Sequence, residues 1–189
     1  MYKQTLPIVL ASKSPRRQEL LRAMGLEFSI VLKEVDESYP EELSPADIAV
    51  YISDKKARAF AGTDDDHIVL TADTIVAFEG EILGKPSDRA DAVRMLSQLS
   101  GSRHEVYTGV TLAYKGMTTS FYDLTEVYFS GLTSEQIEYY IDTFKPFDKA
   151  GAYGIQDWIG MIAVEKITGS YTNVMGLPTE RLYRALMAI

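Results

Sequence analysis

The chain of 189 residues contains no cysteine. A disulfide framework, a thiol nucleophile and a thiolate metal site are therefore excluded. A cysteine-free composition accords with a reducing compartment. Histidine is almost as scarce. His67 and His104 are the only two, and they lie far apart, off metal-ligand spacing, which argues against a zinc site or a Ser-His-Asp triad. Basic residues are in deficit: 19 Lys plus Arg stand against 27 Asp plus Glu, for a formal net charge of −8. Duplex nucleic acid is held by a basic surface that neutralises phosphates, so no nucleic-acid partner is expected, and any phosphate site has to be a local basic pocket. No apolar run approaches the roughly 20 residues that span a bilayer. The N-terminal apolar stretch Leu6–Ala11 is too short for a signal-peptide core and gives way to Ser12-Lys13-Ser14. The expectation is a cytoplasmic protein without membrane contact.

What is present is the composition of an ordinary globular protein, 46% hydrophobic and 24% charged, which rules out a largely disordered chain. The length suits one domain over 1–189, with a second lobe somewhere within about 30–145. Leu6–Ala11 reads as a strand buried on both faces. Ser14 then caps a helix with Pro15 at its first position and Leu20, Leu21 and Met24 on one face, and Gly25 closes it. A strand at Phe28–Leu32, an acidic loop at Glu34–Glu42, and a helix opened by Ser44-Pro45 follow. Asp64-Asp65-Asp66 reads as a surface turn. The next strand, His67–Ala72, ends at Asp73-Thr74, and Ile75–Phe78 continues extended to a hairpin turn at Glu79-Gly80-Glu81. Asp88–Ser100 is an amphipathic helix. Glu105–Val127 is a hairpin broken at Tyr114-Lys115-Gly116. Thr133 and Gln136 form a capping box for a helix over Ser134–Thr143. Lys149–Ile155 reads as a Gly/Ala loop, Met161–Ile167 as a strand, Gly169–Pro178 as a loop and Thr179–Met187 as a last helix. Alternating strands and helices around a central hairpin predict an α/β protein with a mixed sheet and flanking helices.

Several segments carry residues suited to phosphate chemistry. Ser12, Ser14, Arg16 and Arg17 lie where a buried strand opens into a helix, and helix N-termini attract anions through unpaired N–H groups and the dipole. Two hydroxyls and two guanidinium forks there suit a polyphosphate. The same residues also make an ordinary capped helix with solvated arginines. Asp73, at a strand end, can hold Mg²⁺ or act on a water, or else cap a turn. Asp36 and Glu37, in the acidic loop, can join Asp73 around a hard cation or stay solvated. Lys55 and Lys56 lie on a helix. Gly84-Lys85-Pro86 looks like part of a P-loop but is not one, because the Gly spacing is wrong and Pro replaces the Ser or Thr. Lys85 still offers a point charge. In Lys149-Ala150-Gly151-Ala152-Tyr153-Gly154-Ile155-Gln156, small residues let backbone approach a flat ligand, and Gln156 can read a base edge as both donor and acceptor.

In combination these segments resemble the Maf family of nucleoside triphosphate pyrophosphatases. The matching blocks are Ala11-Ser12-Lys13-Ser14-Pro15-Arg16-Arg17, Ala72-Asp73-Thr74, Gly84-Lys85-Pro86, Leu99-Ser100-Gly101, Asp148 to Gln156, and Val174-Met175-Gly176-Leu177-Pro178. The resemblance implies two lobes around a deep cleft, a fold related to the inosine triphosphate pyrophosphatases. It implies cleavage of a nucleoside triphosphate to the monophosphate and pyrophosphate with a divalent metal, Mg²⁺ or Mn²⁺. Asp73 matches the family's catalytic acid/base, with Glu37, Lys56 and Lys85 as further site members and Asp73 and Glu37 toward the metal. Lys56 is preferred to Lys55 on the Lys-Ala-Arg-Ala spacing. Arg16, Thr74 and Gln156 agree with the branch acting on dTTP and UTP. The resemblance also suggests a homodimer. Two other readings stand beside it: a non-catalytic nucleotide-binding regulator of septum formation, and an enzyme of the same fold that removes non-standard nucleotides such as modified pyrimidines or deaminated purine products.

Overall fold

Strand β1 (Ile8–Leu10) is buried along its whole length and pairs in parallel on both sides, with β2 (Phe28–Ile30) and with β3 (Ile68–Phe78). A strand flanked by neighbours and covered on both faces has no place for a polar side chain, which accounts for its unbroken apolar run. The computed structural model of the protein describes residues 4–63 and 66–189. Asp64 and Asp65 of the expected acidic turn lie outside the described residues, as do residues 1–3 of the N-terminus.

The parallel connections are helical. Helices α1 (Pro15–Ala23) and α2 (Pro45–Arg58) begin alike: a serine N-cap, Ser14 or Ser44, accepts from the backbone N–H three residues on, and proline takes the first helical position. Strand β3 turns back into β4 (Glu81–Leu83) through Glu79 and Gly80, at φ 49° and 86°, the left-handed pair that a tight hairpin needs. After α3 (Arg89–Leu99) come β5 (Arg103–Tyr114) and β6 (Met117–Phe129), joined at Lys115-Gly116. Helix α4 (Ser134–Phe144) opens with the Thr133–Gln136 capping box. Helix α5 (Trp158–Ala163) leads into β7 (Val164–Thr168), antiparallel to β6, and helices α6 (Tyr171–Val174) and α7 (Thr179–Leu186) close the chain. The sheet runs β2-β1-β3-β5-β6-β7, with β4 on β3, and is mixed as expected. No helix among the described residues is long and apolar enough to cross a membrane.

Three expectations change. Strand β3 does not end at Asp73 but passes through it unbroken to Phe78. The expected strand at Met161–Ile167 is helical up to Ala163, because the chain coils tightly at Gly160, where a Cβ would lie 1.8 Å from the Ile155 carbonyl oxygen. Gly169–Pro178 contains the one-turn helix α6, capped by Ser170.

The chain divides into two compact units. The first comprises Met1–Thr74, Thr108–Asp123 and Gly176–Ile189, and the second Ile75–Tyr107 and Leu124–Met175. The stretch expected within about 30–145 overlaps the second unit without coinciding with it. In the first unit, Val9, Val69 and Ala113 of the sheet pack against Ala57 and Phe60 at the end of α2. A buried polar seam fixes the rotation of that helix. The Thr71 hydroxyl donates to the Ser53 carbonyl at 2.7 Å, and Ser53 Oγ lies 3.0 Å from Thr111 Oγ1. Gly109 on β5 approaches α2 so closely that a Cβ would lie 2.2 Å from the Ala49 carbonyl oxygen. Gly109→Ala should therefore push α2 off the sheet and destabilise the protein by about 1–3 kcal/mol, read as a lower urea midpoint with an unchanged slope.

The core of the second unit includes Leu83, Leu96, Leu99, Val127, Tyr140 and Ile159. Inside it His104, 1% exposed, meets the rings of Phe129 and Tyr153 edge-on at 5.0 and 5.3 Å, and its Nε2 lies 2.7 Å from the Tyr153 hydroxyl. Burial pushes its pKa down to about 3. Because the unfolded value is near 6.5, the folded protein refuses a proton that the unfolded chain accepts. This contribution to stability is whole above about pH 6.5 and is lost as pH falls toward 3, at up to ~1.4 kcal/mol per pH unit. His104→Gln should flatten the fall of Tm between pH 6.5 and 4; an unchanged profile would clear His104 of that role.

Candidate active site

Lys56 lies near the C-terminal end of α2, three residues beyond Ser53 and so on nearly the same face. Its Nζ reaches 2.7 Å from Asp73 Oδ1 and 2.9 Å from Glu37 Oε1. The Lys56 and Asp73 side chains are 16% and 14% exposed, and that of Glu37 49%. Asp73 arrives there by strand periodicity. Thr71 and Asp73, two residues apart, share the face of β3 that α2 covers. The neighbouring acid follows a parallel course at the surface. Asp36 pairs with Lys55 at 3.0 Å, and hydrogen bonds from Ser38, then Lys55, hold its carboxyl down to about 2. Of the two lysines it is thus Lys56 that reaches Asp73.

Strand β1 stops at Leu10, opposite Leu70, so Asp73 is the third residue of β3 beyond that pairing. The Ser12-Lys13-Ser14 loop after β1 and the start of α1 belong to the same unit. Arg17, in the first turn of α1, makes three side-chain bonds. Its Nε donates to the Gly176 carbonyl at 2.8 Å, Nη1 to Ser12 Oγ at 3.2 Å and Nη2 to Thr74 Oγ1 at 3.1 Å. Thr74 Oγ1 in turn lies 3.0 Å from Oγ1 of the fully buried Thr108. Burial lowers the pKa of the Arg17 guanidinium; the Asp73 carboxylate opposes this, Arg16 adds to it, and Glu37 opposes it as well. The guanidinium remains charged at any working pH. Ser12 Oγ also accepts from the Ser14 N–H at 3.2 Å. Arg16 is half-buried next in line on α1.

The first unit therefore brings together Ser12, Ser14, Arg16, Arg17, Glu37, Lys56, Asp73 and Thr74. Lys85 and Gln156 belong to the second unit. Lys85 is exposed in the loop after β4, whose Gly84 carbonyl accepts from the Gly151 N–H at 3.0 Å. Gln156 is half-buried, and its Oε1 is fully buried with no hydrogen-bond partner among the described residues. Tyr140 of α4 stitches the loop on either side of it: the phenol accepts from the Gly154 N–H at 3.1 Å and donates to Asp157 Oδ2 at 2.7 Å.

Sequence reasoning missed Thr108, Tyr140 and Asp157, which stand outside any patterned block or at its edge. It had Gly176 within a quoted block but had no means of seeing its carbonyl as the acceptor for Arg17. For a metal, no group of three or more His, Cys, Asp or Glu is assembled among the described residues. Asp73 and Glu37 nonetheless aim two carboxylates at one point, now held by the Lys56 ammonium. Mg²⁺ is commonly held by one or two carboxylates, with substrate phosphates and water completing its shell. The residues fit such an ion arriving with a polyphosphate.

The family model described as Maf-like protein matches residues 7–189. A dTTP/UTP pyrophosphatase of Phocaeicola vulgatus is 50% identical over 181 residues, covering 95% of this chain and 94% of that protein. One from Bacillus anthracis is 51% identical over 179 residues, covering 95% and 93%. Among solved structures, a HAM1 protein from Coxiella burnetii covers 98% of this chain and 100% of its own at a TM-score of 0.50 and 14% identity, a likeness of fold alone. A family match over nearly the whole chain, together with relatives at half identity, means that this protein belongs to the Maf-like family.

Proposed function

We propose that the protein hydrolyses dTTP and UTP, with modified pyrimidine triphosphates as further candidates, to the nucleoside monophosphate and pyrophosphate. The observation that carries this reading is the convergence of Asp73 and Glu37 on the Lys56 ammonium, beside the Arg17–Thr74 pair. Relatives matched along nearly their whole length bear the name of this enzyme, which favours turnover over a purely regulatory binding role in septum formation.

Asp73 accepts a proton from the attacking water as its oxygen bonds to the α-phosphorus. The bond from that phosphorus to the bridging oxygen breaks, and pyrophosphate leaves with the electron pair. Lys56 and Lys85 offset charge along the phosphates, and Arg16 with Ser12, Ser14 and the α1 N-terminus receives the anionic tail. Asp73 and Glu37 would hold the Mg²⁺ or Mn²⁺ ion, which when bound neutralises charge on the leaving group. Displacement of Lys56 from these carboxylates toward the phosphates accompanies binding. The homodimer belongs to this reading through the family resemblance, and the cytoplasmic location through the cysteine-free sequence without a membrane-spanning run.

Gln156 accounts for the base. Thymine and uracil present an N3–H donor, which a buried, unpaired amide oxygen accepts, whereas cytosine presents an acceptor there. A site that leaves a polar group unpaired with the wrong base discriminates strongly.

Two outcomes test the proposal. Asp73→Asn should lower kcat for Mg²⁺-dependent pyrophosphate release by about 10²–10⁴-fold with an unaltered circular dichroism spectrum; turnover at the normal rate would remove Asp73 from the chemistry. Gln156→Leu should cut the preference for dTTP over dCTP by roughly tenfold or more while Tm holds or rises, since an unpaired buried oxygen is deleted. Preserved selectivity would place base reading elsewhere.

A further inference from the structure

The Arg17 guanidinium has the chemistry of a phosphate ligand, and its position in the Ser-x-Ser-Pro-Arg-Arg segment suggests that use. Its surroundings argue for another. Each of its three nitrogens already donates to an acceptor of the protein, and the three acceptors come from separate segments: Ser12 after β1, Thr74 within β3 and Gly176 ahead of α7. The third is the most constrained. Gly176 has φ +107°, a conformation that other residues rarely adopt, and a Cβ there would stand 3.4 Å from Thr74 Oγ1 and 3.7 Å from Arg17 Nε. Those are ordinary contact distances, so it is the positive φ, which brings the Gly176 carbonyl to the guanidinium, that keeps the position to glycine. Thr74 gains a second partner in buried Thr108, so its side chain is held from two sides. The residue directly before it is Asp73.

We propose that Arg17 is a positioning residue, which locks Ser12, Thr74 and the Gly176 carbonyl into one frame and so sets the Asp73-Thr74 segment, and that phosphate binding falls to its neighbours. The inference rests on the assignment of Asp73 and Thr74 to the site. It differs from a phosphate-ligand role in what lysine can replace. A point charge serves a phosphate nearly as well as a fork, but an ammonium cannot reach three divergent acceptors in one plane.

The test compares wild type, Arg17→Lys and Arg17→Ala by three readouts: kcat for dTTP, KM for dTTP and the dissociation constant of inorganic tripolyphosphate. Positioning predicts that both variants lose kcat by tenfold or more, since small misplacement of a reacting group is costly, and that both bind tripolyphosphate within about twofold of wild type. A phosphate-ligand role predicts the opposite: Arg17→Ala loses tripolyphosphate binding by tenfold or more, and Arg17→Lys retains both binding and kcat. That result would overturn the proposal. Should both variants fail to fold by circular dichroism, Gly176→Ala decides, because it disturbs the frame and leaves every charge in place. A tenfold fall in kcat with unchanged tripolyphosphate binding supports positioning, and normal kcat refutes it. Wild type that binds tripolyphosphate without releasing pyrophosphate from dTTP or UTP would fault the proposed reaction, and Arg17 would then be judged by tripolyphosphate alone: binding kept within about twofold by both variants supports a role other than phosphate ligand, and a tenfold loss in Arg17→Ala refutes it.

Discussion

An ammonium flanked by two carboxylates, with Lys56 and Asp73 mostly out of water and Glu37 half-exposed, is the contact on which the first unit is organised. Desolvating Lys56 or Asp73 alone would be expensive, and each is tolerable because the other is within 3 Å. That mutual requirement explains the surrounding structure. Helix α2 has to stand at a definite rotation, which the Ser53–Thr71–Thr111 seam imposes. It has to stand at a definite distance, which the bare backbone of Gly109 permits. A pair of this kind adds little net stability, so its value has to lie elsewhere than in holding the fold together.

The two units solve the positioning problem with different chemistry. In the first, charged groups hold charged groups. In the second, aromatic residues do the work: Tyr140 bonds to both Gly154 and Asp157, and Tyr153 in the same loop is anchored on buried His104. Burial raises the pKa of the Tyr153 phenol and lowers that of His104, so both remain neutral near pH 7. A neutral, hydrogen-bonded loop is a suitable mount for the amide proposed to read an uncharged base.

Much of this was legible in the residues themselves, and the limits follow physical lines. The Ser-Pro helix starts, the hairpin at Glu79-Gly80 and the Thr133–Gln136 capping box are local devices, whose cause and effect lie within four residues, and all three stand where the sequence places them. Asp73 was misplaced at a strand end because a polar pair inside an apolar run looks like a terminator. The strand continues because Lys56 satisfies one of the pair and Arg17 with Thr108 the other, and those partners come from 17, 57 and 34 positions away. The Ile159–Ala163 run is apolar enough for a strand or a helix, and only the tight coil at Gly160 decides. Thr108, Tyr140 and Asp157 matter through hydroxyl and carboxylate contacts with remote backbone, which no local pattern announces.

The bond from Arg17 to Gly176 spans 159 positions. At a synthesis rate of roughly 5–20 residues per second, a nascent chain carries Arg17 for about 8 to 30 seconds before its last acceptor has been made. During that interval α1 and the early strands can assemble, but the guanidinium among them is one partner short. On the role proposed for Arg17, competence toward nucleotides is therefore among the last properties the molecule acquires during its manufacture.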